Sequence, residues 1–199
     1  MGKHKIGKLV VLEGIDGAGK STIGKFLYEE LSRRGISCVF TREPTDGRYG
    51  RELRERIKKG NLTPQEELDL FLKDREEHVK NFIVPQMERG KLIICDRYYL
   101  SNCAYQGARG IDPEEILKKN RNFPAPDLVI FLDIIPEKAL ERKKNLLTHF
   151  ENRDFLRRVR ELYLKILPLF RFVNINASNS LGFVKKLALS AVLDLINEG

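Results

Sequence analysis

Five short apolar runs punctuate the chain: 9–13, 37–41, 92–96, 128–133 and 172–176. They lack polar alternation, which is the pattern of parallel strands buried on both faces. Between them the apolar positions fall at helical spacing. Ile23, Phe26, Leu27 and Leu31 make one stripe, with Gly35 placed to close it. Thr63-Pro64-Gln65-Glu66 reads as a capping box with proline in the first turn, and Asp112-Pro113-Glu114-Glu115 follows the same logic. Phe155, Val159, Leu162 and Ile166 form another stripe, and Leu181 to Leu195 a last one. Strands alternating with helices predict an α/β fold: one domain over residues 1–199, with a doubly wound five-stranded parallel sheet flanked by helices. In such sheets ligands bind beyond the carboxyl ends of the strands, so the residues that follow each strand carry the chemistry.

Composition narrows the picture. With 199 residues, 42% hydrophobic and 32% charged, the chain is long enough for one sizeable core. No apolar run approaches the ~20 residues a membrane-spanning helix needs, and the apolar stretch after the basic start is too short for a signal peptide. A cytoplasmic protein without a membrane partner is expected. Cys38, Cys95 and Cys103 form no CxxC pair and no zinc pattern, and Cys38 and Cys95 read as small core residues. The net charge of +8 raises the question of nucleic acid. The charge is spread without a basic tail, however, and several arginines fall at strand ends, where a small polyphosphate would need them. No nucleic-acid partner is expected.

The first strand runs into Gly14-Ile15-Asp16-Gly17-Ala18-Gly19-Lys20-Ser21, which matches G-x-x-x-x-G-K-[ST] between a strand and a helix. Backbone N–H groups of such a loop converge on phosphate oxygens. Lys20 reaches the β- and γ-phosphates, Ser21 ligates Mg²⁺, and the helix N-terminus favours the anion. Leu92-Ile93-Ile94-Cys95-Asp96 ends in a carboxylate placed to hold Mg²⁺ directly or through water. Asp16 is costly inside an anion cradle unless it points away from the phosphates. It meets a second substrate's hydroxyl, holds a metal-bound water, or is a solvated turn residue.

A second substrate separates a kinase from a hydrolase. Arg42 and Arg97 follow the second and third strands and should project into one crevice. Two guanidiniums there repel unless another anion lies between them, and a monophosphate fits. Phe71 and Arg75 are four apart on the helix opened by Thr63 and share a face. A ring and a guanidinium suit a nucleobase; a core phenylalanine beside an exposed arginine is the alternative. Tyr98, Tyr105 and Gln106 add stacking and amide groups after the third strand.

These blocks together resemble the thymidylate kinases over nearly the full length. The resemblance is carried by residues 13–22 (Glu13 through Thr22), Thr41-Arg42-Glu43-Pro44, Phe71 with Asp74-Arg75, and Pro126-Asp127-Leu128. The most specific block is Asp96-Arg97-Tyr98 continuing through Ser101 to Ala104-Tyr105-Gln106-Gly107. It implies ATP, Mg²⁺ and dTMP as ligands, dTDP as product and a homodimer. It implies that Arg42 and Arg97 bind the dTMP phosphate, Phe71 stacks on thymine, Arg75 bonds its O4 edge, and Ser101 and Gln106 flank the base. Tyr105 would lie under the deoxyribose, and Asp16 would meet the 3′-hydroxyl or the metal shell. ATP would lie along Gly14 to Thr22.

The chain departs from the family in two places. Some members carry an arginine in the P-loop where this chain has Gly17, so charge on the transferring phosphoryl is expected from a short lid, about 141–153. Arg142 is the first candidate and Arg153 the second, with Lys143 or Lys144 as substitutes; a surface charge run is the bland alternative. Thr45-Asp46-Gly47-Arg48 stands where paired glycines are usual, which predicts a differently shaped loop. Residues 174–178 are the expected adenine-side loop. The rival readings are another nucleotide kinase on this fold and a GTPase switch, and the Asn-Lys-x-Asp segment usual in the latter does not occur.

Overall fold

In the computed structural model, residues 7–142 and 153–198 are described. Strands β1 (Leu9–Glu13), β2 (Cys38–Arg42), β3 (Leu92–Asp96), β4 (Leu128–Asp133) and β5 (Phe172–Asn176) form one sheet in the order β2-β3-β1-β4-β5. Every pairing is parallel. The helices are α1 (Lys20–Arg33), α2 (Arg48–Lys59), α3 (Pro64–His78), α4 (Val84–Glu88), α5 (Tyr99–Ala108), α6 (Pro113–Asn120), α7 (Pro136–Arg142), α8 (Arg153–Ile166) and α9 (Leu181–Asn197). A π-helical turn, Val79–Ile83, joins α3 to α4. The α/β sandwich predicted from the sequence is thus the observed one.

Four of the five predicted strands have their expected bounds; β2 is displaced by one residue, so Arg42 ends the strand instead of following it. Burial on both faces holds for β1, β3 and β4, which lie inside the sheet. It does not hold for β2 and β5, which are the edges and are only partly covered. Cys38 is accordingly half-buried on β2, whereas Cys95 belongs to the core. Edge position is a property of strand order, which no single strand encodes.

Register sets the working rim. Leu12 lies opposite Asp96 on one side and Ile130 on the other. Arg42 is paired with Asp96, and Asp133 with Asn176. Glu13, Arg42, Asp96 and Asp133 therefore end their strands along one edge of the sheet. The capping box of α3 is complete: Thr63 accepts from the Glu66 N–H, and the Glu66 carboxylate accepts from the Thr63 N–H at 2.9 Å. Asp112 caps α6 by accepting from the Glu114 N–H at 3.0 Å. Gly35 ends α1 in the left-handed region at φ 77°.

Leu12 is fully buried at the centre of the sheet. Leu12→Ala removes methyl groups that the neighbouring strands cannot move in to replace, at a cost of about 2–5 kcal/mol. The urea midpoint should fall at unchanged slope, and a midpoint within error of wild type would show that this layer repacks freely.

Candidate active site

The β1–α1 loop lays its backbone around a cavity of about 610 Å³ lined by Asp16 through Ile23, Asp96, Arg97 and Arg142. Lys20 opens α1 and is buried, with its ammonium donating to the carbonyls of Gly14 at 2.9 Å and Ile15 at 3.0 Å. Burial, helped by the nearby Arg97, lowers its pKa to about 8. Ser21 donates from its Oγ to Asp96 Oδ2. The other oxygen, Asp96 Oδ1, is buried and has no partner among the described residues.

That orphan oxygen tests the fit of a divalent cation. A carboxylate oxygen in need of a positive neighbour, beside a hydroxyl on the first turn of the phosphate loop, is a donor set for Mg²⁺ completed by phosphates and water. Among the described residues no cluster of three or more His, Cys, Asp and Glu could hold a metal by itself.

A smaller cavity of about 170 Å³ opens beside the first, lined by Phe71, Arg75, Ser101, Asn102, Tyr105 and Gln106 among others. Asp16 and Arg97 line both cavities. Arg97 donates from Nη2 to Asp16 Oδ1 and from Nη1 to Ser101 Oγ at 3.1 Å, and its guanidinium lies 5.2 Å over the Tyr105 ring. The Asp16 N–H donates to Tyr105 Oη at 2.9 Å. Arg97 has φ 71°, a left-handed conformation that is unusual for a long side chain and is stabilised by its surroundings. Its N–H donates to the Leu12 carbonyl at 3.0 Å, and the next N–H, that of Tyr98, donates to Glu13 at 2.8 Å.

Glu13 had no role in the sequence reading. It is fully buried and accepts from Tyr98 N–H, Ser101 Oγ at 2.7 Å and Tyr163 Oη at 2.9 Å. Burial pushes its pKa up, opposed by the Ser101 hydrogen bond and by the charge of Arg97. Its apolar strand context gave no sign of this, because the partners come from α5 and α8.

The structure brings Phe71, Arg75, Arg97, Ser101, Tyr105 and Gln106 to one cavity. It does not bring Arg42 there. Arg42 is exposed at the edge of the sheet and pairs with Asp46 at 3.1 Å, which also takes Arg54 at 2.8 Å. The repulsion expected between Arg42 and Arg97 is met by the chain's own carboxylates, Asp46 for one and Asp16 for the other. Arg54 was not singled out, because only the turn after Pro44 folds α2 back beside Arg42. That turn is held by Asp74, which accepts from Thr45 N–H at 2.7 Å and Thr45 Oγ1 at 2.6 Å.

Arg75 is not the exposed arginine of the alternative reading. It is buried, donating to Glu43 from Nε at 2.8 Å and Nη2 at 2.6 Å, and from Nη1 to Asn120 Oδ1 at 2.7 Å. Three of the five donors of its fork are thereby engaged, and two remain for the cavity. His78 Nδ1 lies 3.0 Å from Glu43 and its Nε2 2.7 Å from Thr41 Oγ1.

At the lid, Arg142 donates to the Ala177 carbonyl at 2.7 Å and reaches toward the Gly17 carbonyl at 3.5 Å. Gly17 has φ +84°, and a Cβ there would lie 2.4 Å from the Ala139 carbonyl. An arginine has no room in the loop, because α7 lies across it. Arg153 is exposed near Glu137 at 3.7 Å. Lys143 and Lys144 lie outside the described residues. Of the expected adenine-side loop, Ala177 lines the larger cavity together with Asn179, while Asn174, Asn176 and Ser178 line a separate hollow with Asp133 and Arg160.

A sequence model described as thymidylate kinase matches residues 12–187. The chain belongs to the thymidylate kinase family. It is 41% identical over 192 residues to a probable thymidylate kinase of Archaeoglobus fulgidus, covering 95% of this chain and 96% of that protein. It is 41% identical over 196 residues to a thymidylate kinase of Desulfotalea psychrophila, covering 96% of each. A thymidylate kinase of Brachyspira hyodysenteriae is 47% identical over 161 residues, 79% of each chain. The thymidylate kinase fold thus frames the two cavities and the Asp16–Arg97 wall between them.

The buried Glu43–Arg75 pair supplies a stability prediction. Removing one partner strands the other's charge in the interior at about 3–5 kcal/mol. Glu43→Ala should therefore unfold at markedly lower urea concentration than wild type, with Glu43→Gln between them; a neutral Glu43→Ala would mean that Arg75 reaches water.

Proposed function

We propose that the chain phosphorylates dTMP to dTDP with ATP and Mg²⁺, in the direction of dTTP synthesis. The observation that carries the reading is the shared wall: a phosphate-loop cavity and a base-sized cavity meet at Asp16 and Arg97. That is where a phosphoryl group passing between two nucleotides has to be met.

The residues divide the work by position. Gly14 to Thr22 bind the ATP phosphates through loop N–H groups, and Lys20 adds a charge close to the β- and γ-phosphates. Ser21 and Asp96 would hold Mg²⁺, which neutralises phosphate charge when bound. Arg97, with Arg42 and Arg54 nearer the outer rim, draws the dTMP phosphate into line with the γ-phosphate. The acceptor phosphate is already an anionic nucleophile, so no general base is needed. Asp16 then accepts from a sugar hydroxyl or holds a metal-bound water, and Tyr105 lies under the deoxyribose.

Base selection follows from the smaller cavity. Phe71 offers a stacking face, and the two remaining donors of Arg75 suit the O4 acceptor of thymine. Asn102 is buried in the same wall, and its Oδ1 has no partner among the described residues. A buried acceptor of this kind matches the N3–H of thymine and opposes the N3 lone pair of cytosine. Family likeness also supports a cytoplasmic homodimer of one domain with a lid over about 141–153. Among the described residues no helix is long and apolar enough to cross a membrane.

A coupled assay of ADP formation across monophosphates tests the function. dTMP should be used best and dUMP about tenfold less well; dCMP should fall far behind because a buried donor facing a donor costs ~1–3 kcal/mol, and UMP because Tyr105 under the sugar leaves no room for its 2′-hydroxyl. A preference for AMP, GMP or CMP would sink the thymidylate assignment.

The lid supplies another test. Arg142→Ala should lower kcat by about a hundredfold and raise KM for dTMP little, as expected for a donor that meets developing charge. A change confined to KM for ATP would instead place Arg142 on the bound nucleotide.

A further inference from the structure

Behind the base cavity three polar side chains form a directional chain. Asn102 Nδ2 donates to Gln106 Oε1 at 3.0 Å, and the Gln106 carboxamide lies beside the Glu67 carboxylate on the same cavity, where hydrogen bonding from it favours the ionised form. All three residues line the cavity and are buried. Glu67 also takes Arg109, which is anchored to the Leu62 carbonyl at 3.2 Å. At the far end of the chain stands Asn102 Oδ1, which has no partner among the described residues.

A carboxamide is a donor at one end and an acceptor at the other, and the two ends have nearly the same shape. Packing alone therefore cannot decide which end of Asn102 meets the base. An ionised carboxylate can only accept. Beside Glu67, Gln106 must present its NH₂ group, which turns its oxygen toward Asn102. Asn102 must then present its own NH₂ group to Gln106, and its oxygen is left for the cavity. Reversing the chain would set the Gln106 oxygen against the carboxylate.

We infer that Glu67 is a positioning residue for pyrimidine selection: acting through Gln106, it fixes Asn102 as an acceptor at the base, with Arg109 holding the carboxylate in place. The inference rests on the thymidylate reading of the cavity and adds a determinant beyond the groups that touch the base. Thymine and uracil both carry an N3–H and are served alike. Cytosine carries a lone pair at N3 and is refused there as well as at Arg75. Burial raises the Glu67 pKa to about 7 against the attraction of Arg109. At pH 8 the carboxylate is therefore the major form.

The test is a selectivity measurement at pH 8 with dTMP, dUMP and dCMP. Glu67→Gln keeps the size of the side chain but allows either polarity along the chain. Its preference for dTMP over dCMP in kcat/KM should fall about tenfold, the scale of one unpaired buried group. The dTMP to dUMP ratio and KM for ATP should stay at wild-type values, which a general loosening of the fold would not allow. Glu67→Asp, still acceptor-only, should retain most of the preference. Gln106→Met severs the chain at its middle and should lower the preference in the same way, so the outcome does not depend on Glu67→Gln folding. In an Asn102→Ala background Glu67→Gln should change the ratio by less than about twofold, since coupled residues are not additive. An unchanged dTMP to dCMP ratio in folded Glu67→Gln, or an equal fall in the Asn102→Ala background, overturns the relay. Wild-type protein that does not prefer dTMP overturns the site reading itself, and the wild-type arm detects this separately.

Discussion

The Arg97 guanidinium lies against the Asp16 carboxylate, and the two cavities are divided and joined by that contact. Either residue alone is poorly placed: a carboxylate in a phosphate cradle repels the ligand, and an arginine at a strand end is a free cation. Together they make a wall in which each charge neutralises the other. The backbone of Arg97 sits in the left-handed region so that its side chain can reach this place, and Leu12, Glu13 and Ser101 hold it there. The strained turn is supported by hydrogen bonds from β1, the strand that also begins the phosphate loop. The two cavities thus share one support.

Two buried carboxylates extend this support outward. Glu13 ties β1 to α5 and α8 through Tyr98, Ser101 and Tyr163. Glu43 ties the end of β2 to α3 through Arg75 and His78. Buried charges of this kind add little net stability compared with apolar packing, but they are costly to break, so they hold geometry more than they hold the fold together. Arg75 shows the consequence. Its orientation is set by Glu43 and Asn120 without a ligand, so the order of this long side chain is supplied by the fold.

The sheet, the caps and the phosphate loop were legible because each depends on local pattern. Buried strands read as unbroken apolar runs, the capping box needs residues three apart, and the loop is eight consecutive residues. Phe71 and Arg75 were legible as a pair because helical spacing puts them on one face. Arg42 was expected beside Arg97 and lies instead with Asp46 and Arg54 at the rim. Both residues stand at strand ends, but β2 is the edge of the sheet and β3 is not.

By itself the sequence determined the α/β class, the phosphate-loop motif and the family resemblance, and it singled out Ser21 and Asp96, which the structure brings into contact. Only the tertiary structure decided which charges neutralise one another, and why Gly17 cannot be an arginine where α7 crosses the loop. It also set a buried glutamate on α3 beside a glutamine on α5 that accepts from Asn102, leaving the Asn102 Oδ1 at the smaller cavity without a partner among the described residues. The physical reason is common to all three. Strand and helix periodicities are written over a few neighbouring residues, whereas ion pairing, close approach and amide polarity depend on groups far apart in the chain, which only the packing brings within a few ångströms of each other.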